Sequence, residues 1–118
     1  MIGLFCGNGT LLIQCAEAFR QQGGTIAGVI TGDHRILDWA AENRIPVRGT
    51  PEAPDADTTA FDYLFSVANV TVLPMALIDQ ARIAAINFHD GPLPAYAGLN
   101  VPVWALIEGM EHSWTRKD

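Results

Sequence analysis

Short apolar runs along the chain alternate with longer stretches in which apolar residues return every third or fourth position, the first spacing suiting strands and the second helices. Ile2 to Cys6 reads as a first strand and Leu11 to Gln22 as the helix after it. In that helix Leu11, Cys15 and Phe19 recur one turn apart, flanked by Leu12 and Ala16, and Gly23-Gly24 closes it. Thr25 to Thr31 is a second strand. Asp33 then caps a helix through Asn43 that buries Ile36, Leu37 and Ala40. Ile45-Pro46-Val47 must be extended, because proline disfavours the helical region in the residue before it. Thr50 to Ala60 carries prolines and acidic residues without periodicity and reads as a surface excursion, too short to divide the chain. Tyr63 to Val67 is a central strand, Pro74 opens a helix through Gln80, Ile83 to His89 is the next strand, and Asn100 to Gly109 is a final helix. Strands alternating with helices predict one α/β domain over residues 1–118, with a mainly parallel sheet.

Composition narrows the classes. The 118 residues suffice for one domain with its own core, and 49% hydrophobic with 17% charged residues is a globular balance. No apolar run approaches the ~18 residues a membrane span requires, so no membrane partner is expected. Met1-Ile2-Gly3-Leu4-Phe5 lacks a basic leading segment and reads better as a strand than as a signal peptide, which gives a cytoplasmic expectation. Cys6 and Cys15 form no Cys-x-x-Cys and have no histidine at ligand spacing; both are expected to be buried thiols, with no metal site and no disulfide framework. The formal charge of -6, with seven basic residues scattered along the chain, argues against nucleic acid as a direct partner.

The densest chemistry lies between Ile86 and Asn100. Asn87 and His89 alternate along the end of an apolar strand, so both project on one side just where the strand runs out, ahead of a loop stiffened by Gly91, Pro92 and Pro94. A lone histidine is commonly structural; the co-facing amide shifts the reading toward an active-site edge. Gly7-Asn8-Gly9 sits between a strand and a helix, where free N–H groups and the helix dipole favour an anion, or where glycine serves only a tight turn. A dinucleotide fingerprint fits less well, since Leu12 stands at its third glycine position, although Asp33 falls near the place of a ribose-binding acid. Asn69 follows a strand at the edge where open α/β sheets collect ligands, so backbone groups of Asn69, Val70 and Leu73 can read a flat heterocycle or merely connect strand to helix. His34 and His112 read as surface residues, and Trp39 and Trp104 as core.

Asn87-Phe88-His89-Asp90-Gly91-Pro92-Leu93-Pro94, followed by Tyr96-Ala97-Gly98-Leu99-Asn100, resembles the signature of the folate-dependent formyltransferases. That family includes glycinamide ribonucleotide, methionyl-tRNA and sugar N-formyltransferases, and the wording here is most similar to formyltransferase-like domains of nonribosomal peptide and polyketide synthetases. Cys6 to Leu12 is similar to the glycine loop of the glycinamide enzyme, and Phe61 to Asn69 looks like the strand and loop that meet the folate ring. The resemblance implies a Rossmann-like sheet with helices on both faces. It also implies transfer of a formyl group from 10-formyltetrahydrofolate to a small-molecule or carrier-bound amine. In that reading Asn87 donates to the oxyanion, His89 stabilises it and passes protons, Asn69, Val70, Leu73, Gly91, Leu93 and Pro94 border the folate, and Gly7, Asn8 and Gly9 meet the substrate. The family's third catalytic member, an aspartate on a later loop, has no counterpart before Asp118. The expectation is therefore a catalytic domain lacking its C-terminal part, impaired in transfer and self-associating through an uncovered strand edge. The alternatives are a catalytically silent folate- or partner-binding module and a nucleotide-binding Rossmann-like domain.

Overall fold

The computed structural model describes residues 1–55, 60–69 and 72–88. Along them run β1 (Ile2–Gly7), α1 (Thr10–Gln21), β2 (Thr25–Ile30), α2 (His34–Glu42), β3 (Gly49–Thr50), β4 (Ala53–Pro54), β5 (Phe61–Val67), α3 (Met75–Asp79) and β6 (Ala81–Phe88). Four strands form a parallel sheet in the order β2-β1-β5-β6, while β3 and β4 pair as a small antiparallel hairpin. From β1 the chain moves outward through α1 to β2, then returns past β1 to β5 and moves outward the other way through α3 to β6. The order reverses between β1 and β5. Their carboxyl ends consequently flank the crevice where sheets of this kind take ligands.

Helices cover both faces. On one face α1 and α2 bury Leu12, Cys15, Ala16, Phe19, Ile36 and Ala40 against Phe5, Val29, Phe65, Ile86 and Phe88. Phe65 is the hub: its ring stacks on Phe5 at 4.7 Å between centroids and meets Phe19 edge-on at 5.3 Å. Such aromatic pairs add about 0.5–1.5 kcal/mol each beyond the area they bury. On the other face Leu73 and Leu77 of the α3 region pack on Leu4, Cys6, Ile30, Leu64 and Ala85.

The boundaries depart from the sequence expectation in instructive places. Helix α1 starts at Thr10, and its buried stripe is Leu12, Cys15, Ala16 and Phe19, with Leu11 half-buried at its flank. It ends as expected at Gly23-Gly24, whose N–H groups reach back to Arg20 O and Phe19 O, both at 3.0 Å. Leu37 is half-buried rather than core, and Trp39 is half-buried against the core. Pro74 is the residue before α3 and not its first turn, its carbonyl accepting from Leu77 and Ile78. Strand β6 begins two residues earlier than expected because Ala81 pairs with Phe61. Within the stretch read as an excursion, Thr50 pairs with Ala53 and its hydroxyl accepts from Ala53 N–H at 3.2 Å, making the β3–β4 hairpin. The expected helix over Asn100 to Gly109, together with Trp104, His112 and the segment Glu111 to Asp118, lies outside the described residues. Among the described residues no helix is long and apolar enough to cross a membrane.

Candidate active site

Two loops meet at the carboxyl ends of β1 and β2. Gly7 lies so close to β5 that a Cβ there would stand 1.9 Å from Val67 O, and its φ of +143° is one that side chains rarely adopt. Only glycine lets the two strands keep this approach. Asn8 N–H then donates to Val67 O at 3.3 Å, binding the loop to β5. From the β2 side the buried Thr31 hydroxyl donates to Gly7 O at 2.7 Å and accepts from Asp33 N–H at 3.0 Å. Asp33 completes the knot. One carboxylate oxygen accepts from Arg35 N–H at 2.9 Å and so caps α2, while the other accepts from Gly9 N–H at 2.8 Å across the loops. The Arg35 guanidinium holds both oxygens, through Nε at 3.2 Å and Nη2 at 2.8 Å. These bonds, Arg35 first and Gly9 next, hold the Asp33 carboxyl far below the usual carboxylate range.

The second half of the site is a polar rung across the sheet. Cys6 pairs with Ser66 and Ser66 with Asn87, and in parallel strands paired residues share a face. Asn69 leans back over this rung, its Nδ2 donating to Ser66 Oγ at 3.3 Å and to Cys6 Sγ at 3.7 Å. Ala68, just before it, has φ of +49°, a strained value for a residue with a side chain, and its N–H still reaches Phe88 O at 3.3 Å. The exit of β5 is thereby tied to the end of β6, where Asn87 is half-buried. The Leu73 side chain is buried in the core on the α3 face of the sheet.

The thiols are chemically quiet. Burial, with a smaller push from the negative charge of Glu52, raises the Cys6 thiol to about 12, and burial alone raises Cys15 to about 12. Neither carries a thiolate at neutral pH, as a nucleophile would require. His34 is exposed. Among the described residues no group of three metal-ligating side chains gathers.

Of the residues singled out in the sequence, Gly7, Asn8 and Gly9 stand at the β1 edge, Asn69 and Leu73 follow β5, and Asn87 is the last but one residue of β6, one strand away. His89, Val70, Gly91, Leu93 and Pro94 lie outside the described residues. Sequence reasoning missed the reach of Asp33 to Gly9, the Thr31 hydroxyl and the seat of Asn69 on Ser66. A signal existed for two of them: Thr31 ends an apolar strand and Ser66 is the one small polar residue within the run Tyr63 to Val67.

No protein-family model matches the chain. Curated relatives are methionyl-tRNA formyltransferases. The chain is 25% identical to that of Clostridioides difficile (strain 630) over 92% of its own length, and 27% identical to that of Lachnospira eligens over 93%. It is 43% identical to that of Chlorobium chlorochromatii over a shorter stretch, 40% of this chain and 15% of the relative. In the two longer matches the chain spans 41% of the relative's length.

Proposed function

We propose that this chain, a formyltransferase-family N-terminal domain, binds a reduced folate carrying a formyl group and passes that group to an amine. The observation that carries the reading is the position of Asn87, half-buried at the carboxyl end of β6 and in register with Ser66, beside the strand end from which Asn69 departs. Formyl transfer needs a neutral hydrogen-bond donor there. When the amine nitrogen attacks the formyl carbon, the carbonyl oxygen becomes an oxyanion, and an amide N–H aimed at it lowers the barrier without taking up a proton. His89, two residues further in the sequence, is assigned the titratable role: as imidazolium it offsets the oxyanion charge, and it passes a proton to the departing folate nitrogen. The donor is 10-formyltetrahydrofolate in this reading. Its ring is assigned to the backbone after β5 at Asn69 and Leu73, and the resemblance to the formyltransferases adds Val70, Gly91, Leu93 and Pro94, which lie outside the described residues.

The acceptor is a small-molecule or carrier-bound amine. The relatives carry methionyl-tRNA in their names, but a net charge of -6 gives this chain little attraction for a phosphate backbone. A nucleotide-binding reading is disfavoured by two details. Leu12, at the third position of the would-be fingerprint, is fully buried in the core, and Gly9 N–H is already bonded to Asp33.

Calorimetry with 5-formyltetrahydrofolate, a stable analogue of the donor, tests the binding step. Saturable binding that weakens in Asn69→Ala supports the reading, whereas binding of a nucleotide with none of the folate overturns it. For the chemistry, Asn87→Ala is expected to lower formyl transfer to a fixed amine by about 10²–10³, the usual cost of one oxyanion donor. A loss in KM alone, with kcat intact, would assign Asn87 to binding instead.

A further inference from the structure

We propose that Ser66 is a positioning residue for the formyl donor: its buried hydroxyl seats the Asn69 side chain, and that seat fixes the backbone after β5 in the shape the folate ring meets. The donor half of this statement rests on the formyl-transfer reading; the seat itself does not.

A serine at this point of β5 calls for a partner. It is 1% exposed, on a face of the sheet lined by Leu4, Leu64 and Ala85, where a hydroxyl costs free energy unless it is hydrogen-bonded. The partner is Asn69. Its Nδ2 carries two protons and has two acceptors, Ser66 Oγ at 3.3 Å and Cys6 Sγ at 3.7 Å. Both acceptors are buried, on neighbouring strands and in register. A neutral thiol is a weak acceptor, so of these two the hydroxyl is the stronger partner. Thr31, the other buried polar residue among those described, does the same for the loop after β1 by donating to Gly7 O.

Between the strand end and Asn69 stands Ala68 at φ +49°, a region that a residue with a side chain leaves when it can. It is held from both sides. Ala68 N–H donates to Phe88 O at 3.3 Å, and the residue after it is anchored on Ser66. Without the hydroxyl the backbone after β5 divides its time between this shape and relaxed ones. A ligand that meets one shape then loses apparent affinity in proportion to the fraction of chains that hold it. A neutral hydrogen bond shifts such an equilibrium by a factor of about 2–10, which sets the size of the effect.

The test is calorimetry with 5-formyltetrahydrofolate on wild type, Ser66→Ala, Asn69→Ala and the double variant, joined to nitrogen-15 NMR. Ser66→Ala is expected to weaken binding by about 2–10-fold, to speed hydrogen exchange at the Asn69 side-chain amide, and to change the Ala68 amide-to-α-proton coupling, which reports φ. The double variant should bind about as Asn69→Ala alone does, because the two act through the same hydrogen bond. A folded Ser66→Ala that binds as tightly as wild type overturns the positioning role. So does a double variant whose loss is the sum of the two, since the Asn69 side chain would then act on the ligand itself. Should Ser66→Ala fail to fold, Asn69→Asp, isosteric and without the donor, replaces it in the titration. An Asn69 side-chain amide in wild type that exchanges as fast as that of the exposed Asn8 overturns the seat. A wild type that binds no folate overturns the formyl-transfer reading and the donor half with it, while an NMR response to Ser66→Ala leaves the seat supported.

Discussion

Replacing Gly7 with alanine should separate the two strands that frame the site, and the size of the effect can be worked from the structure. A Cβ at Gly7 would lie 1.9 Å from Val67 O and 2.9 Å from Val67 C, both backbone atoms that cannot rotate away. Ordinary carbon–oxygen contact needs more than an ångström beyond that first distance, so β1 and β5 must part at their carboxyl ends and the 3.3 Å bond from Asn8 N–H to Val67 O is lost. Overpacking of this kind costs about 1–3 kcal/mol. Holding a side chain at φ +143° adds about 1–3 kcal/mol. The total, about 2–6 kcal/mol, is a large share of the ~5–15 kcal/mol that stabilises a domain. Gly9→Ala is the internal control: its φ is +85°, but nothing lies within 4 Å of the added Cβ, so only the backbone term applies. Urea denaturation of wild type, Gly7→Ala and Gly9→Ala reads the difference directly. Gly7→Ala should be the weaker fold by about 1–3 kcal/mol, with faster hydrogen exchange at the Asn8 amide. Equal losses in the two variants would refute the close-approach argument and leave only the dihedral cost.

Two further outcomes follow from the core and from the loop knot. Phe65→Ala removes the ring that joins Phe5 and Phe19, and should cost about 3–5 kcal/mol in the same denaturation series, more than removal of any rim residue. Asp33 has its folded value depressed by Arg35 and Gly9, so its contribution to stability is complete above the unfolded value of ~3.9 and is lost as pH falls through the folded one. The urea midpoint of wild type should therefore fall more steeply than that of Asp33→Asn below about pH 4, and parallel curves would refute it.

The parallel sheet was legible because each of its strands is mostly apolar, and Asp33 as an N-cap is a local signal. Asn87 and Asn69 were legible as candidates for the same reason: each follows an apolar run at a carboxyl edge. The β3–β4 hairpin was not, since two-residue strands are too short to display a period. The bond from Asp33 to Gly9 joins residues 24 apart, and that from Asn69 to Cys6 residues 63 apart. No local pattern encodes such pairs. They depend on β1 lying between β2 and β5, which the order of elements along the chain leaves open. Glycine at position 7 was read as a loop feature, whereas its reason is the carbonyl of a neighbouring strand.

The two buried thiols turn the molecule into its own motion sensor. Cys6 lies on the α3 face beneath Asn69, and Cys15 lies on α1 in the opposite layer. With both held at about 12 and shielded from solvent, an alkylating reagent reacts with either only during an opening event. The modification rate of Cys6 thus times the breathing of the ligand edge, while that of Cys15 times the separation of helix from sheet. The ratio of the two, followed by mass spectrometry as folate is added, reports which layer a ligand locks, without any label, mutation or knowledge of the acceptor.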